Sequence, residues 1–140
     1  MKKNILIGLL LGMLALSSSA VAQEFTPGKV NVLRTAQFEE LFLNDKVIDR
    51  PVVIDFSAEW CGWCQKMHPH IAELAQKYSG QIDFYQVNYE TDLDLIRALG
   101  IGSFPTLVYI KTDGSMVVDE NGYRTTSVLD ETIQEVFYGK

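Results

Sequence analysis

Cys61 and Cys64 are the only cysteines of the chain, and Gly62-Trp63 is all that separates them. Two thiols at this spacing can close into a disulfide and reopen, which makes the pair a candidate redox centre. A bridge around so short a loop gains well under the roughly 3 kcal/mol expected for a 15-residue loop, so stapling the fold is a poor use for it. Helix-favouring residues follow the pair. With Cys61 in the first turn of a helix, unsatisfied N–H groups and the positive end of the helix dipole favour a thiolate there. A low-pKa thiolate is the nucleophile of thiol–disulfide exchange. Asp55, six residues before Cys61, interrupts an otherwise apolar run. A carboxyl buried in such a run is costly unless paired, hydrated or protonated, and burial raises its pKa. His68 would share a face with both sulfurs on an unbroken helix.

The surrounding pattern alternates strand and helix signals. Val30 to Leu33 is a short strand, and Thr35 can cap a helix through Leu43 with Phe38, Leu41 and Phe42 as its apolar stripe. Pro51 to Ser57 is almost continuously apolar, as a strand covered on both faces should be. A helix from Cys61 to Tyr78 follows, with Met67, Ile71, Leu74 and Tyr78 at helical spacing, a break or kink expected near Pro69, and Gly80 closing it. Ile82 to Asn88 is a strand, Asp92 to Leu99 a short helix ended by Gly100, and Thr106 to Ile110 a third buried strand. Thr112 to Ser115 turns into a strand over Met116 to Asp119, and Ser127 to Tyr138 is a last helix with Leu129, Ile133, Val136 and Phe137 inward. Such units imply an α/β fold, a mixed sheet with helices on both faces. Reactive groups in these sheets lie beyond the carboxyl ends of the parallel strands, and Cys61 comes four residues after Ser57.

Met1-Lys2-Lys3, the uncharged run Ile5 to Leu16 and Ala20-Val21-Ala22 have the three-part layout of an export signal, with cleavage expected after Ala22. Twelve residues fall short of the roughly 18 that a membrane span needs. Residues 1–22 are then a signal peptide and 23–140 one domain of 118 residues, enough for a core. Loss of Lys2 and Lys3 takes the formal charge from −6 to −8, which disfavours nucleic acid and anionic membrane surfaces as partners. Residues 23–29, with Pro27-Gly28, look like a disordered lead-in.

Trp60-Cys61-Gly62-Trp63-Cys64 after Val53-Ile54-Asp55-Phe56, then Phe104-Pro105-Thr106 and Gly122, resembles the thioredoxin family in one ordered set. With the signal, the chain is similar to the exported, periplasmic thioredoxins. The resemblance implies a five-stranded sheet ordered 1-3-2-4-5 with the last two strands antiparallel, and a dithiol–disulfide oxidoreductase needing no cofactor. It implies that Cys61 attacks, Cys64 resolves the mixed disulfide and Asp55 helps take the proton from Cys64. Trp60, Gly62, Trp63, Phe104, Pro105, Gly122 and Tyr123 are the implied substrate-binding positions. A cis bond before Pro105 would expose backbone for strand-like pairing with a substrate; a plain turn proline is the alternative. A hydrogen-bonded structural Asp55 is likewise the alternative to a catalytic one.

Three departures stand out. Gln86 occupies the position where the family usually places a lysine beside the buried acid. Trp63 replaces the usual proline and is either a redox-tuning residue, through its added backbone N–H near the Cys61 sulfur, or an exposed apolar cover for substrate. His68-Pro69-His70 stands where apolar residues flank the family's proline; His68 is read as packed or as a proton relay to Cys64, and His70 as exposed. The sequence therefore points to a periplasmic or secreted monomer that reduces or isomerises disulfides of exported proteins, recharged by an upstream thiol donor such as a membrane reductase. A zinc or copper carrier using Cys61, Cys64 and His68 is the alternative, although no fourth ligand is evident. A module that holds cysteine-containing partners without turnover is a third.

Overall fold

A computed structural model of the chain describes residues 24–43 and 46–140. The expected signal peptide and its cleavage point lie outside the described residues. The elements run β1 (Val30–Val32), α1 (Thr35–Phe42), β2 (Val52–Ser57), α2 (Gly62–Lys77), β3 (Asp83–Asn88), α3 (Leu93–Ala98), β4 (Thr106–Ile110), β5 (Met116–Asp119) and α4 (Thr126–Tyr138). They form one five-stranded sheet ordered β1-β3-β2-β4-β5, as expected from the sequence. β3 runs parallel to both β1 and β2, whereas β4 is antiparallel to β2 and to β5.

All six residues of β2 are buried, because strands lie on both sides of it and helices on both faces. Its alternate residues serve different layers. Val53 joins Met67, Ile71 and Leu74 of α2 and Leu129 and Ile133 of α4 on one face. Val52, Ile54 and Phe56 join Phe38 of α1 and Leu95 and Ile96 of α3 on the other. Each such side chain contributes about 1.5–3 kcal/mol by leaving water. By the period of two, Asp55 and Ser57 share the Val53 face and look towards α2.

Local differences from the sequence expectation have physical causes. Arg34, not Thr35, is the extended residue preceding α1, and Gln37 Oε1 accepts its backbone N–H at 3.2 Å. Thr35 is turned instead to Asp92, whose Oδ1 accepts both its N–H and its hydroxyl at 2.9 Å. α2 continues through Pro69 without the expected break. The proline and Gln65, whose carbonyl loses its usual donor, are both exposed, so solvent can serve that carbonyl. The lead-in is not wholly loose: the Phe25 ring lies 5.5 Å from that of Tyr85, and the Thr26 N–H donates to Asn31 Oδ1 at 2.8 Å.

Candidate active site

Cys61 is the N-cap of α2 and Cys64 lies in its first turn, just past the carboxyl end of β2. The two are joined by a disulfide with Cα atoms 5.3 Å apart. The Cys61 backbone N–H donates to Ala58 O at 3.1 Å, and its carbonyl accepts from Gln65 N at 3.2 Å, so the chain is pinned on both sides of the sulfur. Cys61 Sγ accepts the Cys64 N–H at 3.2 Å, as a capping side chain does. The cysteines differ in access: Cys61 is 7% exposed and Cys64 fully buried. In the closed pair the donor at the sulfur is the amide of Cys64, whereas the role expected of the Trp63 N–H concerns the open dithiol.

Trp63 is 58% exposed, its ring 5.4 Å from that of Tyr123 and 4.4 Å below the Lys66 ammonium. Trp63, Phe104, Pro105, Gly122 and Tyr123 line an open depression of about 290 Å³. The Phe104–Pro105 peptide bond is cis, and Gly122 has φ 74°, a conformation that favours glycine. Of the expected groove positions, Trp60 and Gly62 are not in this lining. Trp60, 67% exposed, packs edge-on against Tyr89 and Phe104. Gly62 is exposed beside the disulfide, with no atom within 4 Å of where a Cβ would stand.

Asp55 is 1% exposed and burial pushes its carboxyl up to about 7. It pairs in register with Gln86 of β3, but the Gln86 amide is turned to Asn88 Oδ1 at 3.0 Å. The group facing the carboxyl is His68, with Nε2 3.4 Å from Asp55 Oδ2 and 3.0 Å from Ser57 Oγ. Burial holds the His68 imidazole below its ordinary value. His68 is thus engaged with β2 through this nitrogen, and no group of three or more His, Cys, Asp or Glu among the described residues could hold a metal ion. The metal-carrier alternative is not supported. His70, expected to be exposed, is half-buried instead: its Nδ1 lies 2.8 Å from Thr126 Oγ1 and its Nε2 3.1 Å from the Tyr123 hydroxyl. Because Thr126 donates to Glu73, its oxygen accepts from Nδ1–H, which leaves Nε2 to accept from Tyr123 when the ring is neutral.

Sequence reasoning missed Ser57, Tyr89 and this His70 tie. Ser57 was legible, since it stands two residues after Asp55 on the same strand face. Tyr89 and the partners of His70 come from loops and distant elements, and no local spacing announces them.

The thioredoxin family model matches residues 29–135. The chain is 37% identical over 89 residues to a thioredoxin of Borreliella burgdorferi, covering 64% of this chain and 75% of the relative. It is 34% identical over 100 residues to thioredoxin 1 of Synechococcus elongatus, covering 71% and 90%. It is 29% identical over 110 residues to a protein disulfide-isomerase of Drosophila melanogaster, covering 79% of this chain but 22% of that relative. Among solved structures, a thioredoxin of Malassezia sympodialis superposes with TM-score 0.65 at 27% identity, over 81% of this chain and 96% of its own. The match extends from the first strand through the helix that carries the bridged cysteines and almost to the end of α4. The chain belongs to the thioredoxin family, and Cys61 and Cys64 form the working pair of a thiol–disulfide oxidoreductase.

Proposed function

We propose that this protein works outside the cytoplasm, as a monomer, reducing or isomerising disulfides of exported proteins. The observation that carries the division of labour is the asymmetry of the pair, with Cys61 capping α2 and 7% exposed and Cys64 fully buried. In the reduced protein the N-cap amides and helix dipole favour a Cys61 thiolate. That thiolate attacks one client sulfur, a Cys61–client disulfide forms, the client disulfide breaks, and the departing client thiolate takes a proton from solvent. Asp55 takes the proton of the Cys64 thiol, and the Cys64 thiolate attacks Cys61 Sγ. The Cys61–Cys64 bond forms, the second client sulfur leaves and is protonated, and two electrons have passed to the client. A carboxyl that titrates at about 7 is suited to taking and returning a proton near neutral pH.

The shallow groove of Trp63, Phe104, Pro105, Gly122 and Tyr123 would hold an extended client segment against the disulfide, with Trp60 and Gly62 at its approach. An upstream thiol donor, such as a membrane reductase, would recharge the oxidised pair. The basic start, apolar run and Ala20-Val21-Ala22 support export with cleavage before Gln23. Incubated with a disulfide-bonded protein, reduced Cys64→Ser should accumulate covalent complexes through Cys61, while Cys61→Ser should accumulate almost none. Complexes formed equally by both variants would overturn the assignment. The export reading is tested by N-terminal sequencing of the protein recovered from the extracytoplasmic fraction: a start at Gln23 supports it, and retention with residues 1–22 in the cytoplasm contradicts it.

A further inference from the structure

A buried base that takes a proton in each cycle must release it before the next. Asp55 is poorly placed to do so alone: its side chain is 1% exposed and its Oδ1 has no hydrogen-bond partner. We propose that His68 is the outlet, receiving the proton of Asp55 at Nε2 and passing it to solvent, a role that rests on Asp55 serving as the base for Cys64. The ring bridges the two environments, with Nε2 3.4 Å from Asp55 Oδ2 and a side chain 27% exposed.

Its surroundings favour proton transfer over a fixed ion pair. Ser57 Oγ, 3.0 Å from Nε2, can donate to a bare nitrogen or accept from a protonated one, so the ring is held in either state. The Gln86 amide nitrogen, 3.5 Å from Nε2, carries no exchangeable charge and donates to Asn88. The cleft between these groups has a volume of about 160 Å³ and is lined by Val30 of β1, Asp55 of β2, His68, Ile71 and Ala72 of α2, and Gln86 of β3. Among the described residues, Asp55 and His68 are its only titratable lining, so no third ionisable group of theirs competes there for the proton. Burial raises the carboxyl to about 7 and lowers the imidazole from 6.5, and both shifts act against a standing carboxylate–imidazolium pair. In the step the carboxyl O–H bond breaks as the Nε2–H bond forms, and no bond between heavy atoms changes. The carboxylic acid becomes carboxylate as the neutral ring becomes imidazolium, which then loses one proton to bulk water and re-equilibrates between tautomers. His68 acts through Asp55 and so is a positioning and relay residue, in the place where the chain carries Gln86 instead of a cation.

The test uses the reduced full-domain protein and two separately timed steps, attack on a small aromatic disulfide and release of the resulting mixed disulfide. His68→Gln keeps a polar side chain that cannot carry a proton, and His68→Ala leaves room for added imidazole. With its carboxyl at about 7, Asp55 is in part protonated when the mixed disulfide forms at neutral pH, and that fraction must ionise through the outlet before it can take the Cys64 proton. Both variants should therefore attack at nearly the wild-type rate and release roughly tenfold more slowly, less than the 10²–10⁴-fold loss of a direct general base because Asp55 remains. At fixed pH, release by His68→Ala should climb with imidazole concentration, while wild-type release should not. Wild-type release rates in both variants, or a slowed His68→Ala that does not respond to imidazole, would overturn the proposal. Asp55→Asn run in parallel separates the two readings. If it releases at the wild-type rate, the base assignment falls and the outlet with it; if it is slow while the His68 variants are not, the outlet alone falls.

Discussion

Replacing Asp55 by asparagine should make the fold more stable, and by an amount that depends on pH. The carboxyl ordinarily ionises at 3.8 and in this fold at about 7, because burial penalises its charge. The native state therefore binds the proton more tightly than the unfolded chain, so raising the pH favours unfolding. Below pH 3.8 the group is protonated in both states and costs nothing by ionisation. Its contribution is lost progressively as the pH rises through the interval, and above about 7 the whole cost is present. Three or so pKa units at about 1.4 kcal/mol each give a cost of about 4 kcal/mol at high pH, a ceiling because solvent entry and relaxation around His68 would reduce it. Asparagine carries no such titration. Urea unfolding of the oxidised proteins between pH 4 and 8.5, with the cysteines locked in their bridge, isolates the effect as the difference between mutant and wild type. The advantage of Asp55→Asn should be smallest near pH 4 and grow to several kcal/mol by pH 8.5. A difference that is flat across this range, or a mutant that loses ground as the pH rises, would refute the reasoning.

Asp92 has the opposite sign. Burial alone would raise its pKa, but hydrogen bonds from Thr91, Thr35 and Arg34 outweigh it and hold the carboxyl below 3.8. Asp92→Ala should cost roughly 2–3 kcal/mol at neutral pH by leaving the start of α1 unanchored, a deficit that shrinks as acid protonates the wild-type carboxyl; chemical unfolding at pH 7 and pH 3 checks it. Trp63→Ala removes the exposed ring that packs on Tyr123. It should slow reduction of protein disulfides several-fold more than that of small ones, measured as the ratio of the two kcat/KM values. Trp63→Pro should leave the Cys61 thiol pKa nearly unchanged in an alkylation–pH profile, because the amide that reaches the sulfur is that of Cys64.

The layers of the fold were legible because β2 is apolar along its length and α2 repeats its apolar residues at helical spacing, two patterns that local physics reads directly. The element edges were less so. Arg34 took the cap expected of Thr35 because Asp92, 57 residues away, claims the threonine. Pro69 was tolerated inside α2 because the exposed face absorbs its missing hydrogen bond, a judgement that requires knowing which face is outside. In the site, the cysteines and Asp55 could be found from type and spacing. His68 drew notice by its helical spacing from Cys64, but its partner proved to be the strand acid, set by how α2 crosses the sheet. His70 was misjudged for the same reason, since its partners Tyr123 and Thr126 come from more than fifty residues away.

The most direct test of the central claim, that Cys61 is the attacking sulfur of a redox dithiol, is a pH series of brief alkylation of the reduced protein with each cysteine quantified by peptide mass. Cys61 should be labelled well ahead of Cys64 at pH 7, with a half-maximal rate below the pKa of about 8.5 of a free cysteine. Faster labelling of Cys64, or a Cys61 midpoint at or above that value, would contradict it.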